Sequence, residues 1–211
     1  MMDEKIKLAL KQGYALPLME AFYTIQGEGY FSGKPAFFLR IGGCDVGCHW
    51  CDVKDSWDAN LHPPTHIDAI VSKVLENSSN TVVITGGEPL MWNLSCLTSA
   101  LRLNYKKIHL ETSGAYKLSG EFDWICLSPK KIEEPLMEIA EIANELKIII
   151  YNKHDFIWAE KQREKVNESC KLYLQPEWSK RDMITPMIVD YVKNNSHWSI
   201  SLQTHKFINI P

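Results

Sequence analysis

Three of the six cysteines in this 211-residue chain lie in one short loop, at Cys44, Cys48 and Cys51. Thiolates gathered in this way bind soft metals, either zinc or iron in a sulfide cluster. A structural zinc site usually takes four Cys or His ligands, often from two separated pairs, and this loop has no second pair. Three thiolates suit a [4Fe–4S] cluster whose fourth iron is left open for chemistry. Zinc and unliganded thiols are the alternatives.

A glycine-rich segment and several other polar segments each follow a predicted strand. In the segment Gly86-Gly87-Glu88-Pro89, the glycines allow a backbone to approach a ligand, and Glu88 could accept hydrogen bonds from an ammonium group. Ligands gather at the carboxyl ends of strands in parallel α/β folds, so we expect these segments to converge. The others are Gln26-Gly27-Glu28-Gly29, Gly42-Gly43-Cys44, Glu111-Thr112-Ser113-Gly114, Ser128-Pro129-Lys130, Gln175-Pro176 and Gln203-Thr204-His205-Lys206.

Two charged residues outside the cysteine loop are candidates for substrate recognition. Glu28 is a carboxylate that can accept two adjacent N–H donors, and Gln26 and the backbone of Ile25 and Gly27 can add hydrogen bonds. Arg40 lies in a predicted strand, where an unpaired guanidinium is costly to bury. A substrate carboxylate would satisfy it, and an internal Asp or Glu would do so equally well.

The elements that must position these residues alternate between short β-branched runs and segments of helical period, which is typical of βα units. The chain has no repeat or long linker, so we predict one domain over 1–211. Thr65 is predicted to cap the first of the helices. The predicted strands are 19–25, 36–41, 81–85, 107–112, 124–127, 146–151, 171–174 and 198–202, and the predicted helices are 67–75, 94–103, 135–146, 156–168 and 181–194.

The composition excludes several classes of protein. A formal charge of −3 without a long basic run gives no electrostatic footprint for nucleic acid. No apolar stretch is long enough to cross a membrane, and the first residues do not form a signal peptide, so we expect a cytoplasmic chain. Its cysteines are then expected to stay reduced, with Cys96, Cys126 and Cys170 as small core residues.

The C-x3-C-x2-C spacing, together with Gly86-Gly87-Glu88-Pro89, resembles the signature of the radical S-adenosylmethionine superfamily. Segments along almost the whole chain resemble one family within it, the 7-carboxy-7-deazaguanine synthases. The resemblance implies an abbreviated, partly open (βα) TIM-type barrel. Its motifs are Tyr23 to Gly29, Gly33 to Cys44, Cys51-Asp52, Thr85 to Pro89, Glu111 to Gly114, Ser128 to Lys130, Leu174 to Pro176, Gln203 to Lys206 and Ile210-Pro211.

The resemblance also implies the reaction, in which the cluster cleaves S-adenosylmethionine to a deoxyadenosyl radical. That radical takes the C6 hydrogen of 6-carboxy-5,6,7,8-tetrahydropterin, the ring contracts, and ammonia and 7-carboxy-7-deazaguanine result. The family is a lyase of queuosine and 7-deazapurine biosynthesis, and it regenerates its S-adenosylmethionine. An electron donor such as flavodoxin and a homodimer are implied as partners.

The resemblance implies three groups of site residues. Cys44, Cys48 and Cys51 are the implied catalytic cluster ligands. The implied S-adenosylmethionine site is Trp50, Cys51, Asp52, Gly87, Glu88, Ser128, Pro129, Lys130 and Gln175. The implied substrate site is Ile25, Gln26, Gly27, Glu28, Arg40, Thr85, His205 and Pro211, the last through a free α-carboxylate.

One position departs from the family pattern. Members that bind Mg²⁺ commonly carry Thr or Ser two residues after the last cluster cysteine, and this chain has Val53, which cannot ligate a hard cation. Asp52, Asp55 or Ser56 could compensate, so Mg²⁺ stays an open expectation. The rival functions are a glycyl-radical-enzyme activase, which shares the cysteine spacing, and a zinc-stabilised binding module without chemistry.

Overall fold

Nine strands form one continuous sheet in the computed structural model, which describes residues 4–211. The strands are β1 (Ala15–Ile25), β2 (Pro35–Ile41), β3 (Pro64–His66), β4 (Thr81–Gly86), β5 (Lys107–Thr112), β6 (Trp124–Leu127), β7 (Glu145–Ile150), β8 (Lys171–Pro176) and β9 (Trp198–Ile200). The helices are α1 (Glu4–Gln12), α2 (Ile67–Leu75), α3 (Ser95–Leu103), α4 (Met137–Ala140), α5 (Asp155–Arg163), α6 (Arg181–Asn194) and α7 (Thr204–Ile208).

The order of the strands is that of a partly open barrel. The sheet runs β3-β1-β2-β4-β5-β6-β7-β8-β9, and within the described residues β9 does not pair with β3 to close it. β2 and β4 to β9 are parallel, whereas β1 is antiparallel to both of its neighbours. The predicted α/β fold, an abbreviated and partly open barrel, is confirmed. The carboxyl ends of the parallel strands share one edge.

The alternation of side chains along each strand separates the core from the site. On β7, Leu146, Ile148 and Ile150 are fully buried in the main apolar core with residues of the surrounding helices. Lys147 and Ile149, which alternate with them, face the barrel interior and line its cavity. Polar residues therefore collect inside the barrel while the apolar core lies between the sheet and the helices.

Two details of the helices differ from the predictions. The predicted helix over 135–146 is only the four-residue α4, since β7 already begins at Glu145, and just before it Asn144 Oδ1 accepts the backbone N–H of Ile125 over 2.8 Å. The predicted cap Thr65 is wrong. It pairs with Leu16 as part of β3, and His66 caps α2 by accepting the backbone N–H of Asp68. The sequence pattern also missed α1, α7 and β3.

Candidate active site

A cavity of about 410 Å³ occupies the barrel interior and opens beside the cysteine loop. Of the residues predicted for the site, Pro129 lies outside the cavity lining. The predicted residues in the lining are Ile25, Gln26, Gly27, Glu28, Arg40, Cys44, Cys48, Trp50, Cys51, Asp52, Val53, Thr85, Gly87, Glu88, Ser128, Lys130, Gln175, His205 and Pro211. The fold thus brings to one place residues that are scattered over almost the whole sequence.

Cys44, Cys48 and Cys51 all line the cavity, and none is in a disulfide. The Cys44 N–H donates to the carbonyl of Trp57 over 3.1 Å, which ties the start of the loop to its end. Within residues 4–211, no three His, Cys, Asp or Glu side chains are grouped so as to hold one metal ion. Three separate thiols around a cavity fit a [4Fe–4S] cluster, because each thiolate there binds a different iron.

Glycine is required where the end of β4 lies against the backbone that precedes Cys44. A Cβ on Gly86 would lie 2.0 Å from the carbonyl oxygen of Ile41, and the φ of Gly86 is +148°. A Cβ on Gly87 would lie 2.4 Å from the carbonyl oxygen of Gly43. Any other residue at these positions would push the cysteine loop away from the strand.

Glu88 is buried, and its carboxylate binds four donors of the protein. Oε1 accepts from Leu90 N at 2.9 Å and from Thr112 Oγ1 at 2.7 Å, while Oε2 accepts from the backbone N–H and the hydroxyl of Ser113. These donors occupy the acceptor positions of a carboxylate. Glu88 therefore joins the ends of β4 and β5, and its direct contact with the methionine ammonium stays a prediction.

The loop over 26–34 reaches the site from the opposite edge of the sheet. Contrary to the prediction from the sequence, Gln26 to Gly29 do not lie at the common carboxyl edge, because β1 is antiparallel and its last residue, Ile25, pairs with Pro35 at the start of β2. The loop then crosses the barrel floor, where Gly29 N donates to Ser201 Oγ over 2.9 Å. It bridges the gap between the β1 and β9 sides of the open barrel.

Glu28 is held by residues that the sequence analysis did not assign. Lys147 donates to Oε2 of Glu28, and Gln203 Nε2 donates to Oε1 over 2.9 Å. Burial alone would raise the pKa of Glu28, but the charge of Lys147 and these hydrogen bonds lower it to about 2. The signal for Lys147 was available, since polar Glu145 and Lys147 alternate with apolar residues along β7.

Gln26 and Thr85 meet on a second unassigned carboxylate, that of Glu111. Gln26 Nε2 donates to Glu111 Oε1 over 2.9 Å, and Thr85 Oγ1 donates to Oε2 over 3.3 Å. The amide oxygen of Gln26 accepts the backbone N–H of Glu28. These bonds fix the loop and β4 relative to β5.

Arg40 has an internal partner. Its Nε donates to Glu20 on β1 over 2.6 Å, and the two residues face each other across the antiparallel pair of strands. Of the two partners that the sequence left open for Arg40, the internal carboxylate is present. Arg40 nevertheless lines the cavity, and its side chain is only 21% exposed.

Lys130 lies on the other side of the cavity, beside the cysteine loop. Its Nζ donates to the carbonyl and the hydroxyl of Ser128 over 2.6 and 2.7 Å, and it lies 5.5 Å from the ring centroid of Trp50. Burial lowers the pKa of Lys130. Gln175, also predicted for the S-adenosylmethionine site, lies beside Glu28, and its Oε1 accepts the hydroxyl of Ser201 over 2.7 Å.

The last residues of the chain run along the cavity. His205 packs on Gly27, where a Cβ would lie 2.1 Å from the ring Nδ1. Burial lowers the pKa of His205, which favours its neutral form. Thr24 Oγ1 donates to the Pro211 oxygen over 3.3 Å, so the chain returns to β1.

The position expected to hold Mg²⁺ does not supply a set of oxygen ligands. Val53 has no side-chain oxygen, and its carbonyl accepts the Ser56 hydroxyl over 2.6 Å. Asp52 binds Lys206 over 2.6 Å, and Asp55 is outside the cavity lining. A hard cation needs several oxygens, and of these residues Val53 offers no side-chain oxygen and Asp52 is bound to Lys206.

The barrel, its cysteine loop and the adjacent glycine-rich turn define a radical S-adenosylmethionine enzyme, and the model of the Radical SAM superfamily matches residues 39–118. The chain is 59% identical over all of its length, and all of the relative's, to a 7-carboxy-7-deazaguanine synthase of Flavobacterium psychrophilum. A synthase of Synechocystis sp. is 46% identical over 92% of this chain and 93% of its own. The chain belongs to the 7-carboxy-7-deazaguanine synthase family.

A solved structure agrees with this assignment. The crystal structure of QueE from Escherichia coli has a TM-score of 0.83 and 29% identity over 97% of this chain and 100% of its own. The sequence-based recognition of the family and of a radical enzyme is therefore confirmed. The superfamily implies a [4Fe–4S] cluster and S-adenosylmethionine. Among the described residues, no helix is long and apolar enough to span a membrane.

Proposed function

We propose that the chain converts 6-carboxy-5,6,7,8-tetrahydropterin to 7-carboxy-7-deazaguanine with loss of ammonia. The observation that carries the proposal is one cavity that joins Cys44, Cys48 and Cys51 to a floor built from Gln26 and Glu28. The thiols suit a radical-generating cluster, and the floor offers acceptors to the N–H donors of a pterin. We also propose that residues 1–211 act as a single radical S-adenosylmethionine domain.

In the proposed complex, Glu28 accepts from the amino-pyrimidinone edge of the pterin, with Gln26 and the backbone of Ile25 and Gly27 beside it. Arg40 faces the pterin carboxylate, although its Nε is already bound to Glu20. Thr85, His205 and Pro211 border the ring in this proposal, and the neutral His205 adds no second positive charge beside Glu28. Fixing both ends of the pterin orients its C6 hydrogen toward the cysteine loop.

The residues around Lys130 are proposed to bind S-adenosylmethionine, whose carboxylate would pair with the buried ammonium. When bound, the cluster and S-adenosylmethionine supply the radical that removes the C6 hydrogen. Trp50 would cover the ligand, and the cavity walls would hold it close to the substrate. The proposed set is Trp50, Cys51, Asp52, Gly87, Glu88, Ser128, Pro129, Lys130 and Gln175.

The proposed partners are a low-potential electron donor such as flavodoxin and a second copy of the chain as a homodimer. Mg²⁺ is not included, because Val53 has no side-chain oxygen, its carbonyl accepts from Ser56, and Asp52 is bound to Lys206. No step of the proposed reaction uses it.

The proposal is tested by incubating the anaerobically reconstituted, reduced protein with S-adenosylmethionine and the carboxytetrahydropterin. We expect a brown protein that forms 7-carboxy-7-deazaguanine, identified by mass. A glycyl-radical activase would cleave S-adenosylmethionine without converting the pterin. A colourless protein with one bound zinc would refute the radical chemistry altogether.

A further inference from the structure

Lys147 is a buried lysine inside the barrel, and the proposed reaction gives it no task. Its side chain is 6% exposed, and that of its partner Glu28 is 15% exposed. Lysine is strongly hydrated in water, so burying it is costly unless carboxylates compensate. An apolar residue at this position would fill the strand without that cost. The lysine therefore needs a reason beyond packing.

Charged groups face the pair of Lys147 and Glu28 from every side of the barrel floor. Burial lowers the pKa of Lys147, but the surrounding acidic groups outweigh burial and hold that pKa well above its usual range. The lysine is thus a permanent cation at neutral pH. The titratable groups around it are the carboxyl groups of Glu111 on β5, Glu145 on β7 and Glu28, the neutral thiol of Cys126 on β6, and Lys130, while Asp52 and His205 lie near Glu28.

The pair fixes both the charge and the direction of the Glu28 carboxylate. Lys147 binds one oxygen and Gln203 binds the other, so the group cannot turn freely. Each carboxylate oxygen can accept a further hydrogen bond, and the Gln175 side chain also lies within reach of the group. Two adjacent N–H donors of an amino-pyrimidinone match that arrangement.

We propose that Lys147 is a positioning residue that presents Glu28 as an oriented, ionised acceptor for the donor edge of the pterin. The inference rests on the proposed function, because it takes the pterin as the ligand of Glu28. Lys147 acts through Glu28 and does not itself contact the reacting C6 centre. Its loss is therefore expected to weaken substrate recognition more than the chemical step.

The test is Lys147→Met, which keeps the length and removes the charge. We expect KM for the pterin to rise roughly 10- to 100-fold, with kcat within about 3-fold of the unmodified chain. Burial then favours the protonated form of Glu28, which donates where it should accept. The KM of Lys147→Met is therefore expected to rise further as the pH falls from about 9 to about 6, whereas that of the unmodified chain stays constant.

Two further variants separate this role from a structural one. Glu28→Gln combined with Lys147→Met removes the titrating group, and the pH dependence of KM is expected to disappear. Lys147→Arg keeps the charge and is expected to restore part of the affinity. Lys165→Met is the matched control, because it removes an ion pair with Glu134 outside the cavity and is expected to leave KM unchanged.

An unchanged KM in Lys147→Met would overturn the inference. So would a raised KM that does not depend on pH, because it would show that Lys147 only supports the fold. Turnover by the unmodified chain separates a failure of the proposed function from a failure of the proposed role of Lys147. If it forms no deazaguanine, the proposed function fails, whereas normal turnover with an unaffected Lys147→Met rejects only the role of Lys147.

Discussion

Lys206 donates to Asp52 over 2.6 Å and so joins α7 to the residue that directly follows the cysteine Cys51. Gln203 also reaches Asp52, over 3.4 Å, and binds Glu28 at the same time. The proposed S-adenosylmethionine side and the proposed substrate side are thus connected through one short segment. Binding on one side can influence binding on the other through this contact.

We predict that Lys206→Met weakens that coupling while changing stability little. The side chains of Lys206 and Asp52 are 21% and 53% exposed, and such a pair contributes about 1 kcal/mol or less to the free energy of unfolding. The measurement is the Kd of S-adenosylmethionine with and without the pterin. We expect the pterin to tighten binding by about 5-fold or more in the unmodified chain and by less in the variant. Equal ratios in the two proteins would refute the coupling.

Glu88→Ala is predicted to destabilise the barrel strongly. It leaves the buried donors of Leu90, Thr112 and Ser113 without their acceptor. Hydrogen bonds to a charged group contribute strongly to stability, and a buried donor without an acceptor is costly. We therefore expect the free energy of unfolding, measured in urea, to fall by about 3–5 kcal/mol. Glu121→Ala, whose carboxylate is mostly exposed beside Arg102, is the control and should cost little. A loss below about 1 kcal/mol for Glu88→Ala would contradict the described network.

Turnover is predicted not to require Mg²⁺. After cluster assembly, a chelator that removes Mg²⁺ is expected to leave kcat and KM unchanged, because Val53 has no side-chain oxygen and its neighbour Asp52 is bound to Lys206. Val53→Thr adds a hydroxyl at that position and is expected to make turnover respond to added Mg²⁺. Loss of activity in the unmodified chain on removing Mg²⁺ would show that backbone, water or substrate oxygens hold the ion.

Glu160 is predicted to stabilise the packing of α5, α6 and β9 in a pH-dependent way. Burial acts to raise its pKa, but hydrogen bonds from Trp198, Tyr191 and Arg163 lower it from 4.5 to about 2. Because the pKa of Glu160 is lower in the folded chain than in the unfolded chain, the ionised carboxylate stabilises the fold fully above about pH 4.5. This contribution is lost as the pH falls toward about 2. Glu160→Gln should therefore lower the free energy of unfolding by about 1–3 kcal/mol at neutral pH.

The matching measurement is urea unfolding of the cluster-free protein at several pH values. The difference between the unmodified chain and Glu160→Gln is expected to shrink as the pH falls below about 4.5. A difference that stays constant with pH would mean that the charge of Glu160 is not responsible.

Much of the parallel sheet could be predicted from local pattern. The bounds of β5, β6 and α6 agree with the sequence analysis, because β-branched runs and helical periodicity are clear there. The polar residues that follow the parallel strands could also be placed together, since those strands share one carboxyl edge. Pro129 is outside the resulting cavity lining although its neighbours Ser128 and Lys130 are in it.

The antiparallel β1 could not be predicted in the same way, because strand direction depends on partners far away in the sequence. Its reversal places Gln26 and Glu28 on the barrel floor and brings Glu28 to Lys147, which is 119 residues further along the chain. The partner of Arg40 was undecided for the same reason, as Glu20 faces it only once β1 and β2 pair. Such long-range pairs leave no local pattern.

The yield of 7-carboxy-7-deazaguanine at limiting S-adenosylmethionine tests directly whether this chain is a synthase that regenerates its cofactor. Reduced protein with excess carboxytetrahydropterin is given less S-adenosylmethionine than protein, and the variant Cys44→Ala serves as the control without a complete cluster. We expect several molecules of product for each molecule of S-adenosylmethionine, and none from the control. Cleavage of S-adenosylmethionine by a competent cluster, with no deazaguanine formed, would contradict this expectation.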